Sequence, residues 1–367
     1  MVSRFHIEAE VTGRLDHPGV VPVYGIGESW DGRPCYAMRF IEGVNLRTAI
    51  HDFHAKDWRS LGRGAWAMEL HRILGHLVTA CNTVAYAHNR GVLHRDIKPE
   101  NIMIGRYGET MVVDWGLAQF IQRDEQAKAS GERTLLPGML AEDGHGSVSR
   151  GGTIGYLAPE QLPGSVEPVT RACDIYSLGA TLYKLLTGHT AFHAGEGLKV
   201  WSRIRRGDFS RPHEINKACP AALEAICLQA MELRPQDRYV TASDFAEDLR
   251  RWMADEPVDV YREPLSERIT RVARRHRAWS LAVASSVLLL LLAMLVGMSI
   301  FRHQAQREIQ LKNIAQDARM ANLRSVAAFA ADTYGYEIDQ RWRMLGELAA
   351  ETELQALIKA ATGKPVG

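Results

Sequence analysis

The chain has almost no excess charge, few cysteines, no internal repeat and no low-complexity tract, and each absence closes off a class. With 44 Lys and Arg against 43 Asp and Glu, the net charge of +1 makes no compositional case for a nucleic-acid partner. Cys35, Cys81, Cys173, Cys219 and Cys227 are scattered without a CxxC pair, so they fit neither a zinc site nor a disulfide scaffold. They read as thiols of a reducing compartment. Lysine is missing from the start of the chain, where Lys56 is the first. What is present is 46% hydrophobic content over 367 residues, enough for a buried core and room for two or three domains.

Long uncharged runs are equally scarce, and the sequence has one. Ala278 to Phe301 carries no charged residue and is bracketed by Arg277 and Arg302. At ~1.5 Å per residue a helix here covers about 36 Å, more than the roughly 30 Å of a hydrocarbon core. Its position excludes a signal peptide, and the run Leu288 to Leu292 with no polar face argues against a buried helix of a soluble domain. Arg268, Arg271, Arg274, Arg275 and Arg277 precede it, whereas Arg302 and Arg307 follow among acids and glutamines. The positive-inside rule then predicts a cytoplasmic N-terminal part and an outer C-terminal part. The five thiols, all ahead of the span, agree.

Apolar periodicity predicts a helix over residues 3–16, ended by His17-Pro18-Gly19, then strands at Val20–Tyr24 and Pro34–Phe40 around a Trp30-Asp31-Gly32 turn. From Leu46 onward the pattern is mainly helical. Leu70, Ile73, Leu74, Leu77, Val78, Cys81, Val84, Ala85 and His88 form one stripe. Short strands are expected at Ile102–Ile104 and Met111–Val113, a long loop over residues 117–152, and helices over 174–187, 221–233 and 241–254. Past residue 302 two helices are expected, Gln304–Thr333 and Glu337–Ala361. Leu311, Ile314 and Ala318, then Ile338, Trp342 and Leu345, recur at near-heptad spacing, which suits either a dimer-forming stalk or the opening helix of a folded sensor.

The chemistry concentrates in His94-Arg95-Asp96-Ile97-Lys98-Pro99-Glu100-Asn101 and, shortly after, Asp114-Trp115-Gly116. A carboxylate, a cation and two oxygen ligands for a hard metal are what phosphoryl transfer requires. A charged turn would account for one such segment, hardly for both in this order. The two segments closely resemble the catalytic loop and metal loop of eukaryotic-type (Hanks-type) serine/threonine protein kinases. Gly152-Thr153-Ile154-Gly155-Tyr156-Leu157-Ala158-Pro159-Glu160, Asp174-Ile175-Tyr176-Ser177-Leu178-Gly179 and Arg234-Pro235-Gln236-Asp237-Arg238 follow in the same family's order, so the resemblance covers about residues 3–254.

The resemblance implies that Asp96 takes the acceptor proton, that Lys98 neutralises charge on the transferred group, and that Asn101 and Asp114 hold Mg²⁺ while ATP donates the phosphoryl group. The DxKPxN form implies Ser or Thr acceptors on protein substrates. Trp115 stands where the family usually has Phe and keeps a large apolar plate. Thr153 is expected to contact the catalytic loop, Glu160 to pair with Arg238, and Asp174 to cap the loop. Arg95 is expected to meet a phosphate on Ser130, Thr134, Ser147 or Ser149.

On the nucleotide side, Glu8 resembles the helix glutamate that pairs with a strand lysine, Met38 the residue at the back of the adenine pocket, and Phe40 part of the hinge; Met103 is taken to line the same pocket. The lysine and the Gly-rich loop find no match in this sequence, and Gly25-Ile26-Gly27, lying after the helix, is no phosphate loop. Two explanations compete: the sequence starts at an internal methionine of a longer kinase, or the protein is a membrane-bound pseudokinase. Four intact catalytic positions favour the first. The expected architecture is therefore α+β: a protein-kinase-like domain over 1–254 with an incomplete N-lobe and a mainly helical C-lobe, a basic linker over 255–277, a transmembrane helix over 278–301 and a helical extracytoplasmic segment over 302–367. Self-association through that segment is expected to bring kinase domains together.

Overall fold

The computed structural model describes residues 2–121, 153–193, 199–265, 268, 271, 277–350, 356–357 and 359–361. The expected acceptors Ser130, Thr134, Ser147 and Ser149 lie outside them. The chain divides into two compact units, Met1–Ile269 and Thr270–Gly367.

In the first unit, helix α1 (Val2–Arg14) precedes an antiparallel pair, β1 (Val23–Glu28) and β2 (Pro34–Met38). The strand expected at Val20–Tyr24 starts later. Pro22 has no N–H to give to a ladder, and Val20 makes only an isolated parallel bridge with Val112, where it is buried in the core. Gly25 and Gly27 fall inside β1, paired with Ala37 and Cys35, so they belong to a ladder and form no loop. A second sheet has the order β3 (Gly43–Asn45), β5 (Ile102–Gly105), β6 (Thr110–Val112). The two-residue strands β4 (Val92–Leu93) and β7 (Gln119–Phe120) pair with each other, so β7 lies in a stretch expected to be loop.

Helices make up most of the rest of the described residues. Asn45 caps α2 (Leu46–Ala55), its side chain accepting from the Thr48 amide at 2.9 Å. Next comes α3 (Trp58–Asn89), broken at Gly62, whose φ of 87° and ψ of 162° leave the helical region. Every residue of the stripe from Leu70 to His88 is buried. This face packs on α8 (Ala242–Met253), α4 (Ala172–Thr187) and strands β4 and β6. Helix α4 is buried along nearly its whole length; each of Ile175, Leu178, Leu182 and Leu185 contributes about 1.5–3 kcal/mol by leaving water. Gly179 lets α7 (Ala221–Ala230) approach: a Cβ there would stand 2.7 Å from that of Ala230. Two short helices the sequence pattern did not reveal, α5 (Lys199–Arg206) and α6 (Pro212–Ile215), complete the unit.

The second unit is dominated by α9 (Arg277–Ala350). Where two helices were expected, Thr333 to Glu337 continues as helix through Gly335, so the break is absent. At ~1.5 Å per residue this element is about 110 Å long. It contains a stretch long and apolar enough to cross a membrane, with none of it buried.

Candidate active site

Asp174, at the start of α4, organises the catalytic loop from below. Fully buried, it accepts from the His94 amide (2.9 Å) and His88 Nε2 (2.8 Å) on Oδ2, and from the Arg95 amide (2.7 Å) on Oδ1. Burial alone raises its pKa, but the His88 hydrogen bond, together with the neighbouring His88 and His94 and the His94 amide, prevails and holds it below the usual carboxylate value. These bonds fasten Arg95 in the left-handed region (φ 69°), which costs a non-glycine residue about 1–2 kcal/mol. The strained turn carries Asp96 to the front of the loop. From the other side Gln161 Nε2 donates to the Arg95 carbonyl at 3.0 Å.

Asp96 is 7% exposed and almost fully engaged. Its Oδ2 accepts from Lys98 Nζ at 2.6 Å and Asn101 Nδ2 at 3.3 Å, and its Oδ1 from the Thr153 amide at 3.4 Å. Thr153 therefore does meet the catalytic loop, through its backbone. Asn101 also donates to the Asp96 carbonyl at 2.9 Å. Both of its bonds use the amide nitrogen, which leaves the amide oxygen for another partner. Asp114 sits at φ 64° after β6 with an exposed carboxylate, and no hydrogen bond engages it among the described residues. Beneath it Trp115 is 1% exposed, donates Nε1 to the Val112 carbonyl at 3.2 Å and packs its ring 4.6 Å from that of His94. His94 is held neutral by burial, donating Nε2 to Val113 and accepting the Asp96 amide on Nδ1.

The oxygens of Asn101 and Asp114 are a hard donor set that suits Mg²⁺. Among the described residues no group of three or more His, Cys, Asp or Glu could hold a metal ion. A cation here thus needs further oxygens from water or phosphate, which is how Mg²⁺ is usually bound in phosphoryl-transfer sites.

On the nucleotide side the structure places the expected residues less tightly. Glu8 is half-buried at the sheet, and its hydrogen-bond donor is the Tyr36 hydroxyl from β2. Burial is the main cause that lifts its pKa, with the charge of Asp114 adding to it. Burial and the adjoining Glu8 likewise push the Tyr36 phenol up, so it stays a donor. Met103 is half-buried on β5, opposite Met111 and Asn45. Met38 is 42% exposed and Phe40 87% exposed. Burial alone does not bring Met38, Phe40 and Met103 into one closed pocket.

The supporting pair forms as expected. Glu160 and Arg238, both buried, make two parallel bonds of 2.7 and 2.9 Å, and Arg238 also donates to the Ala172 and Glu232 carbonyls and stacks 4.9 Å from the Tyr176 ring. Sequence reasoning missed His88, Tyr36 and Gln161 as site supports. His88 was read only as part of an apolar stripe; its polarity within that stripe was the available signal.

A protein kinase domain model matches residues 2–249. The chain belongs to the protein kinase family. Among its relatives are proteins named serine/threonine-protein kinase PknD. That of Protochlamydia amoebophila is 35% identical over 258 residues, 68% of this chain and 25% of that protein. Those of Chlamydia pneumoniae and Chlamydia caviae are 32% and 33% identical, over 69% and 70% of this chain and 27% of each relative. This kinase chain spans about a quarter of the length of the curated relatives it matches.

Proposed function

We propose that this kinase chain transfers the γ-phosphoryl group of ATP to Ser or Thr hydroxyls of proteins. The observation that carries the reading is the Asp96 carboxylate, clamped by Lys98, Asn101 and Thr153 on a loop whose amides Asp174 caps. The acceptor oxygen attacks the γ-phosphorus as the bond to ADP breaks, and its proton passes to Asp96. Lys98, already 2.6 Å from Asp96, is placed to offset negative charge on the transferring group. Asn101 and Asp114 supply the protein oxygens for Mg²⁺, which when bound neutralises phosphate charge. Glu8, Met38, Phe40 and Met103 are assigned to the nucleotide side, and Arg95, with its Nε buried and unpartnered among the described residues, to a phosphate on the activation segment.

By this reading residues 1–254 are the kinase domain, 255–277 a basic linker, 278–301 the membrane span with the kinase on the cytoplasmic side, and 302–367 an outer helical segment through which two copies associate. The apolar stretch of α9 and its arginine flank support it. One observation favours a second reading, an interaction module without transfer: the donor to Glu8 is a tyrosine and no lysine lies on β1 or β2. The discriminating experiment follows radiolabel from γ-labelled Mg-ATP into a Ser/Thr protein substrate. Transfer that disappears in Asp96→Asn supports the kinase reading; no transfer leaves the interaction module, and transfer indifferent to that substitution removes Asp96 from the proposed mechanism.

A further inference from the structure

A cleft of about 1050 Å³ opens between the end of α2, the start of α3 and the segment after α4. The chain bends at Gly62, which lines it. Phe53, Trp58 and Trp66 give it an aromatic wall, with the rings of Trp58 and Trp66 centred 5.1 and 6.4 Å from that of Phe53. Arg59 and Arg63 also line it, and no Asp or Glu does. Asp57 is turned to the helix start, where it accepts from the Arg59 amide at 3.1 Å. Neither guanidinium has an ion pair or side-chain hydrogen bond among the described residues. His54, whose pKa burial lowers, contributes a neutral ring that donates to the Leu185 carbonyl at 2.8 Å.

The positive character continues toward Asp96. Lys184 lies one helical turn before Thr187 of the cleft wall, is partly buried, and has no ion pair among the described residues. It neighbours Arg47 and Glu100, which meet at 3.3 Å. The second oxygen of Glu100 and the Tyr156 hydroxyl are both buried without a hydrogen-bond partner among the described residues. Glu100 precedes Asn101 in the catalytic loop, and Tyr156 follows three residues after Thr153, whose amide touches Asp96. Arg59, Arg63, Lys184 and Arg47 thus outnumber the carboxylates of Glu100 and Asp57.

We propose that this surface docks an acidic peptide segment of the acceptor protein. An apolar side chain of that segment sits against Phe53, Trp58 and Trp66, and its carboxylates face Arg59, Arg63 and Lys184. The proposal rests on the kinase reading only for calling the bound segment part of an acceptor. Cations strung from a concave aromatic cleft toward the acceptor carboxylate match an extended chain, with ~3.3 Å per residue, better than a flat lipid surface.

The test measures fluorescence anisotropy of labelled peptides on the full 367-residue chain in nanodiscs of neutral lipid, without ATP, so that absence of phosphoryl transfer cannot affect it. One peptide carries three aspartates and a central phenylalanine; its counterpart has lysines for the aspartates. The expected result is about tenfold or greater preference for the acidic peptide, abolished in the Arg59→Glu/Arg63→Glu double variant and reduced in Lys184→Glu. All three residues are at least partly exposed, and matching thermal melts of the variants confirm that they fold. Equal binding of the two peptides, or acidic-peptide binding indifferent to the charge reversals, overturns the proposal. So does an Arg59- and Arg63-dependent gain of binding to anionic vesicles with no peptide preference, which would make the surface a lipid site.

Discussion

At the scale of single residues, the catalytic loop depends on groups that never touch an acceptor. Asp174 satisfies two loop amides and His88 at once, so Asp174→Asn leaves donors without their charged acceptor and is expected to cost about 1–3 kcal/mol. Because its folded pKa lies below the ordinary 3.8, its stabilisation is fully present above about pH 4 and is lost as pH falls toward the folded value. Urea unfolding of both forms between pH 7 and pH 3 checks this: the gap should be widest at neutral pH and narrow in acid. On the proposed role of Asp96 toward the acceptor proton, Asp96→Asn is expected to lower transfer by about 10²–10⁴-fold while nucleotide affinity measured by calorimetry stays unchanged. Asp96, Lys98, Asn101 and Asp114 were legible in the sequence because their spacing is local. The tyrosine that donates to Glu8 was not, because Tyr36 reaches it from a separate element across the sheet.

Among elements, α4 is the post on which the others are mounted. It carries Asp174 at one end, receives α7 at Gly179, and lies beside Arg238 through the Ala172 carbonyl. Glu160→Gln should therefore act well beyond its own segment: stranding Arg238 as a buried, uncompensated charge is expected to cost about 3–5 kcal/mol, read as a lowered urea midpoint, while Glu160→Gln combined with Arg238→Met recovers part of the loss. In α3, Leu77→Ala should cost about 2–5 kcal/mol by leaving a cavity in the fully buried stripe. That stripe could be read from periodicity, since a helix that long with one apolar face has one way to pack. The strands could not be read as well. Val20 to Tyr24 has the composition of a strand, yet Pro22 delays the ladder to Val23, and the two-residue strands β4 and β7 exist only because distant segments meet.

For the whole molecule the decisive feature is α9. On the proposed membrane-span reading, a charge at its apolar centre, Leu290→Arg, is expected to disfavour insertion by about 2.5–3.5 kcal/mol and shift the protein from the carbonate-resistant membrane fraction toward the soluble one, measured by fractionation and immunoblot. Protease added to sealed inside-out vesicles should degrade residues before 278 and spare those after 301 if the arginine flank sets the orientation. The length of the uncharged run announced this helix from composition alone. Its continuation through Gly335 did not follow from the sequence, because glycine weakens a helix by only about 1 kcal/mol and neighbouring turns can carry it.

Local spacing by itself determined the family and the apolar helix and singled out the candidate carboxylate and metal-side oxygens, because each depends on residues close together in the chain. Only the folded chain decided that Asp174 meets the amides of His94 and Arg95, that Tyr36 meets Glu8, and that Arg59 and Arg63 line an aromatic cleft whose His54 feels the charge of Lys184. Those contacts join positions far apart in sequence, and hydrogen bonds and ion pairs reach only a few ångströms. Packing of α3 and α4 sets which distant groups come within that reach.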